Sequence, residues 1–464
     1  MEKELRVRLS YRLPVDPLAI KSMADYDLAL CLSDTWFDYD DSRKAKSNLI
    51  SEWSFDEKAG TYKLTVNTQR KWSNGETLKA NQLVWNILRA YKLKTQYGLA
   101  IAAIIDLDAI TTPDDQTIIL RTRDHKTSES FFQRMGGQPM AVIHQSDADS
   151  KTLELRSNKI TIGPYYIANI NTDSIELKKN IYFPNANKSS PLIIHVRPLE
   201  KEFHLNNFLN EKSWENITQV NTFLSEESAK LLAKNKLPIW TRGHDRVSLL
   251  KPNNSKTLES SKRVLLALNE KLHSKAITGL PLNVIRASSL QPFGYPLFDQ
   301  LPNTKNKGQL PRQLKILITN SESSEAQKKL LDPILKELGI DAIWDAKIKT
   351  DFIKLLYEDG KYDLVLFDFG VADPEPSTWI GIITTNNFIH LDKGDVEKFQ
   401  KASHITKIED EIIAFKALLK SSFEKGNYLP LFHFSTLSIG HKNLDFKNIR
   451  ELDETVNYYK THIN

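Results

Sequence analysis

The sequence predicts an α/β protein in two or three domains, and three observations carry that reading. A chain of 464 residues is too long for one compact core. Its C-terminal third alternates short apolar runs with helical periodicity. The segment from about 54 to 125 reads instead as α+β material, with strands, a turn, one helix and more strands. In the C-terminal third, Leu314 to Thr319 is almost continuously apolar, the pattern of a strand covered on both faces. A helix follows, with Leu330, Leu331, Ile334, Leu335 and Leu338 on one side and Gly339 as its stop signal. Ile340 to Trp344 supplies a second strand, and a short helix carrying Phe352, Leu355 and Leu356 leads to a third from Tyr362 to Phe367. Strand, helix, strand, helix, strand is a parallel doubly wound unit.

In the α+β segment, Tyr62, Leu64 and Val66 fall on one face of an alternating strand. Asn74-Gly75 turns the chain sharply, and Leu83, Val84, Ile87, Leu88 and Tyr91 then recur at helical spacing. Asp106 to Ile110 and Gln116 to Thr122 flank the turn-rich Thr112-Pro113-Asp114-Asp115, which predicts a hairpin.

Composition excludes several classes. The chain is 40% apolar and 26% charged, ordinary for a globular protein. Sixty-three basic against 58 acidic residues leave a net charge of +5, with the two signs interspersed, so the clustered basic stripe of a nucleic-acid binder is missing. No run approaches the length that crosses a bilayer. Residues 1–9 are charged and lack the apolar core of an export signal. Either the signal has been removed from a mature form, or the protein is cytoplasmic. Lone Cys31, among Leu28, Ala29, Leu30 and Leu32, reads as a buried thiol.

Catalytic signatures are absent: no Gly-x-Ser-x-Gly elbow, no phosphate loop, no His-Glu-x-x-His. The 11 histidines lack metal-ligand spacing, although His204, His244 and His273 could meet in space. Asp373 and Glu375 stand too close on a proline-stiffened loop to flank one scissile bond. A non-enzyme without cofactor or metal is expected.

In an open parallel sheet, ligands bind outside the carboxyl ends of the strands. The run Asp368 to Trp379 therefore emerges at the ligand crevice, with Gly370 permitting an unusual turn and Pro374 and Pro376 stiffening it. A rigid loop with a carboxylate, Asp373, and an aromatic ring suits a ligand amine; the alternative for Asp373 is a solvated or helix-capping acid. Asp368 reads as structural, and Glu375 as a brace for the loop. Candidate aromatic walls are Trp36, Trp240, Phe293, Tyr295, Phe369 and Trp379, each equally suited to a core. Trp53, Trp72 and Trp85 read as core. Arg242 or Arg286 could meet a ligand carboxylate, or either could be a surface residue.

The wording of residues 69–85, with Trp72-Ser73-Asn74-Gly75 and the helix to Trp85, resembles the W-S-D-G-x-P-x-T-A-x-D-x-V stretch of extracellular solute-binding protein family 5. These are the large peptide/nickel-binding receptors that feed ABC importers. Further matches keep the family's order. Leu13 to Pro17 resembles its L-D-P, Asn48 to Trp53 its L-A-E-S-W, and Tyr62 to Val66 the strand that follows. Gly163-Pro164-Tyr165 is similar to its G-T-G-P-Y, Asn180 to Phe183 to its N-x-x-Y-W, and Arg263 to Leu268 to its V-R-x-A-L helix. Residues 200–260 match weakly. Ala372-Asp373-Pro374-Glu375-Pro376 resembles the A-D-x-x-E-P segment, whose Asp pairs with a peptide's α-ammonium in peptide-binding members; the spacing here is one residue shorter.

The resemblance implies a periplasmic binding protein-like class II fold, two α/β lobes with a hinge plus an extra α+β domain. By that analogy residues 1–30, 159–262 and 437–464 form lobe I, 31–158 the extra domain, and 263–436 lobe II. It implies a monomeric, periplasmic or cell-surface receptor, its signal peptide removed, whose lobes close over a peptide or similar amine-bearing solute and present it to a membrane ABC permease. Two alternatives stand: the cytoplasmic ligand-sensing domain of a regulator, and a receptor for a non-peptide solute such as a metal chelate or oligosaccharide. Ligand contacts are expected from Asp373, Phe369, Trp379, Arg242, Arg286, Phe293 and Tyr295.

Overall fold

The computed structural model describes all residues except 1–3, 10–12, 21–22, 40–44, 126–128, 137–139, 185–189, 199–207, 209–215, 221–225, 242–245, 275–283, 292–296, 305, 307, 357, 359, 371–379, 382, 385–386, 403–404, 406, 436, 442–443, 446–457, 459–460 and 464. The chain forms two compact units. One comprises Met1–Gln219, Ala233–Trp240 and Leu437–Asn464; the other, Val220–Leu232 and Thr241–Thr436. The strand Arg246–Pro252 and the helix Leu258–Ser274 thus belong to the second unit. That unit opens ahead of residue 263, where the sequence reading drew its edge.

The first unit holds a seven-stranded sheet in the order Ile239–Thr241, Leu437–Gly440, Ile217–Val220, Glu4–Leu9, Ile193–Pro198, Ile175–Lys179, Tyr165–Ile170. Side chains alternate across a strand, so Leu5, Val7 and Leu9 enter one core with Ile194, Val196, Leu177 and Tyr165. Cys31 lies in that core, and burial raises its thiol pKa, which leaves it no reactive thiolate.

A second, antiparallel sheet in this unit runs Ile50–Asp56, Thr61–Val66, Thr117–Thr122, Ile105–Thr111. It is the predicted strand and hairpin. The hairpin turns where the Asp114 carboxylate accepts from the amides of Gln116 and Thr117, at 2.8 and 2.7 Å. Tyr62, Leu64 and Val66 face the core, as do Leu83 and Ile87 of the helix Ala80–Lys92. Tyr91, expected among them, is 43% exposed. It lies on the Val84 edge of the helix's apolar stripe, beyond the sheet's cover. Trp53 is also more open than expected: its edge strand leaves it 36% exposed, with Phe37 and Phe132 beside its ring. Trp36 and Trp72 are fully buried, and Trp85 is half-buried.

The motif residues converge in this unit although they are far apart in sequence. The Trp72 amide donates to Glu76 O and the Gly75 amide to Trp72 O, both at 2.8 Å, closing the turn that Gly75 enters at φ +89°. Trp72 Nε1 donates to Gln82 Oε1 at 2.9 Å, and Gln82 Nε2 donates to Glu76 Oε1 at 2.6 Å, which clips the turn to the first turn of the helix. Ser73 and Thr161 exchange two hydrogen bonds, Ser73 N to Thr161 O at 2.8 Å and Thr161 N to Ser73 Oγ at 3.1 Å. Asn180 Nδ2 donates to Gly163 O at 3.0 Å, and Asn180 N to Pro164 O at 2.8 Å. Gly163 itself runs against the backbone of Leu32 and Ser33: a Cβ there would stand 2.5 Å from Leu32 C and Ser33 N.

Two buried arginines tie the same segments. Arg70 Nη2 donates to Asp34 Oδ2 and to Ile162 O, each at 2.8 Å, beneath the ring of Phe183. Arg89 pairs with Asp16, the acid of the L-x-V-D-P run, and donates from Nε to Leu153 O at 2.8 Å. Burial pushes the Asp34 carboxyl up to about 6, with Arg70 opposing.

The second unit is built on a six-stranded sheet in the order Val284–Arg286, Leu429–Phe434, Arg246–Pro252, Leu364–Gly370, Gln313–Thr319, Asp341–Lys347. Its last three strands are parallel, joined by the helices Glu322–Glu337 and Lys349–Leu356, and this is the predicted doubly wound unit. Gly339 ends the first helix at φ +74°. The sheet is mixed, because Arg246–Pro252 runs antiparallel to both of its neighbours.

Two outcomes follow. Gly163→Ala forces its methyl into backbone that cannot yield, and a loss of about 1–3 kcal/mol in urea denaturation is expected. For Asp34, a folded pKa near 6 against about 3.9 unfolded means that the folded state holds the proton more tightly. Its stabilising effect is therefore complete below about pH 4 and lost as pH rises through the folded value. The difference in urea midpoint, Asp34→Asn minus wild type, is expected to become more positive across that window; a flat difference would show Asp34 ionised throughout.

Candidate functional site

One edge of the second unit's sheet collects the features that suit a ligand. The parallel strands end there at Thr319, Lys347 and Gly370, and Phe434 ends the strand Leu429–Phe434 at the same edge. The antiparallel strands begin there: Arg246 pairs with Gly370 on one side and with Phe434 on the other, and Val284 pairs with Phe434 from beyond. The helix Glu322–Glu337 starts at the edge, capped by the Ser321 hydroxyl, which accepts from the Ser324 amide at 3.2 Å.

A single carboxylate fastens these pieces. Asp368 Oδ1 accepts from Ser248 Oγ at 2.7 Å and from Gln327 Nε2 at 3.0 Å, and Oδ2 accepts from Ser323 Oγ at 3.0 Å. Ser248 belongs to the neighbouring strand, while Ser323 and Gln327 lie in the first two turns of the helix. All three donors are buried. On the other face of the strand, Phe367 and Phe369 pack against Phe388, with ring centroids 5.4 and 5.1 Å from it. The strand's end is therefore fixed from both faces before the chain leaves it at Gly370.

Of the sequence-predicted ligand residues, Phe369 and Arg286 are described. Phe369 is buried in the phenylalanine cluster. Arg286 turns its Nη1 to the carbonyl oxygens of Pro430 and Leu431, at 2.8 and 2.7 Å, and burial lowers its pKa to about 10. Asp373, Trp379, Arg242, Phe293 and Tyr295 lie outside the described residues, as do Glu375, His204, His244 and the side chain of Trp240. Trp36 is in the core of the antiparallel sheet of the first unit. Among the described residues no cluster of His, Cys, Asp or Glu could hold a metal ion, and no helix is long and apolar enough to cross a membrane.

The sequence model of bacterial extracellular solute-binding proteins, family 5 (middle), matches residues 44–283, just over half of the chain. The chain belongs to this family. No curated protein sequence matches it significantly. Solved structures share its fold at low identity. The murein tripeptide binding protein MppA of Escherichia coli is 15% identical with a TM-score of 0.78, over 100% of this chain and 98% of that one. A dipeptide binding protein from Pseudoalteromonas sp. SM9913, in complex with Met-Leu, is 13% identical with a TM-score of 0.80, over 99% and 100%. NikA from Brucella suis, in complex with Fe(III)-EDTA, is 12% identical with a TM-score of 0.78, over 99% and 100%. The α/β binding-protein fold expected from the family 5 motifs is thus the one observed.

Within this family 5 chain, Asp368 is a fastener. Asp368→Leu would leave Ser248 and Ser323 as buried donors short of an acceptor, while Gln327 Nε2 keeps Ser323 Oγ at 3.1 Å, at a cost of about 1–3 kcal/mol for each such group. A fall in the urea midpoint corresponding to roughly 2–4 kcal/mol is expected. Asp368→Leu as stable as wild type would show that the edge is held by other means.

Proposed function

We propose that this family 5 protein is the extracytoplasmic receptor of an ABC importer and takes a short peptide or similar amine-bearing solute. It works by binding and release, without catalysis. The observation that carries the reading is the fixed strand end at Gly370, since it leads directly into the segment with Asp373. A carboxylate carried on so firmly held a base attracts an ammonium at little ordering cost. The names of two fold relatives, a murein tripeptide binding protein and a dipeptide binding protein, support the peptide reading. The three-part lobe division expected from the resemblance, closure of its lobes over the ligand and a periplasmic or cell-surface location belong to the same proposal. Trp379, Phe293 and Tyr295 are its aromatic walls. A second reading keeps the receptor and changes the cargo to a metal chelate, favoured by the shared fold of NikA in complex with Fe(III)-EDTA.

Isothermal titration with a synthetic tripeptide library tests the amine anchor. Loss of one charge-assisted contact corresponds to roughly a 10- to 100-fold weaker Kd. Asp373→Asn is expected to show that loss, and N-acetylated peptides are expected to bind wild type as weakly as free peptides bind the variant. Unchanged affinity in both arms would overturn the assignment.

A further inference from the structure

We propose that Lys251 is a positioning residue for the ligand site: its ammonium pins the limb of chain that returns from the segment carrying Asp373 and Trp379. The proposal rests on the peptide-receptor reading and adds how that reading's binding segment is held at its far end.

Position comes first. The chain leaves the strand Leu364–Gly370 at the ligand edge and, beyond Trp379, comes back over the face of that strand that carries Phe367 and Phe369. Side chains alternate along Arg246–Pro252, so Lys251 stands on the same face, two and four residues from Leu249 and Val247, which pair with Phe367 and Phe369. Its Nζ donates to Asn387 O at 2.6 Å. Asp368, on the opposite face, fixes where the segment departs. Lys251 fixes where it returns.

The returning limb is built to present that carbonyl. Asn387 N donates to Thr384 O at 3.2 Å and Phe388 N to Ile383 O at 2.9 Å, the bond pair of a Schellman motif. Asn387 takes the motif's left-handed position at φ +50°, which asparagine tolerates better than most side chains. Neither bond uses the Asn387 carbonyl, and the lysine takes it. Ile383 and Ile389 are fully buried on either side, and Phe388 packs on Phe367 and Phe369.

Energetics separates placement from general support. Lys251 is 1% exposed, and among the described residues it has no carboxylate partner. Burial lowers its pKa to about 8, so it stays mostly charged at neutral pH. Taking an ammonium out of water costs more than one hydrogen bond to a neutral carbonyl returns. An apolar side chain of similar volume would fill the space without that cost. What the lysine supplies is a bond of fixed length and direction, which sets the limb. A limb ordered beforehand subtracts nothing from affinity when ligand arrives.

The test compares wild type, Lys251→Met and Lys251→Arg, each as the full chain. Three measurements are made: thermal unfolding, hydrogen–deuterium exchange without ligand, and isothermal titration with the tripeptide library. Lys251→Met is expected to unfold at or above the wild-type midpoint and to exchange faster at the Asn387 and Phe388 amides. It is expected to bind roughly 10-fold more weakly, a loss on the scale of one charge-assisted hydrogen bond. Lys251→Arg keeps a charged donor and is expected to recover part of the affinity and of the protection; where the longer side chain unfolds the protein, the methionine variant decides alone. Unchanged exchange at those two amides, or unchanged affinity, in Lys251→Met overturns the positioning role. A midpoint more than about 5 °C below wild type overturns it as well, because the lysine would then be general core support. Failure of the peptide reading looks different: wild type itself then binds no member of the library, and the positioning role falls with it.

Discussion

The sheet edge of the second unit depends on one half-buried carboxylate. Asp368 lies near the end of a strand where three structural elements meet, and it accepts a hydrogen bond from each of three neutral side chains. The geometry of the edge follows. Gly370, Ser248 and the start of the helix Glu322–Glu337 are set relative to one another by bonds of 2.7–3.0 Å. The stacked Phe367, Phe369 and Phe388 hold the strand from its opposite face. A binding loop is productive only if its base does not move, because any ordering left to the moment of binding is subtracted from affinity.

The first unit uses its recognisable residues differently. The residues that carry the resemblance, Trp72 to Gly75, Gly163 to Tyr165 and Asn180 to Phe183, meet in the fold. Gly163 is required by the closeness of the Leu32–Ser33 backbone, and Asn180 donates to the buried Gly163 carbonyl. Arg70 stacks on Phe183 and reaches Asp34 and Ile162, so one guanidinium joins three chain segments. These motifs report a crossover geometry.

Much of this was legible in the sequence, and the gaps have physical causes. The doubly wound unit was plain because Leu314 to Thr319 and Tyr362 to Phe367 are buried on both faces, which leaves continuous apolar runs. The strand from Leu364 continues to Gly370, three residues beyond its predicted end, because Asp368 looks like a loop residue until its three donors are seen. Arg246–Pro252 was assigned to the other lobe: an antiparallel strand inserted between distant partners leaves no local sign of its neighbours. Arg242 and Arg286 were named by residue type alone. Tyr91 and Trp53 show the limit of periodicity, which gives a residue's face but not whether the sheet extends far enough to cover it.

The most direct test of a ligand site at this edge is hydrogen–deuterium exchange of the full chain with and without a saturating tripeptide library. Slower exchange of backbone amides is expected across residues 370–379 and at the start of the strand from Arg246, with the first unit's motif crossover unchanged. Binding with no slowing in either of those segments would contradict it.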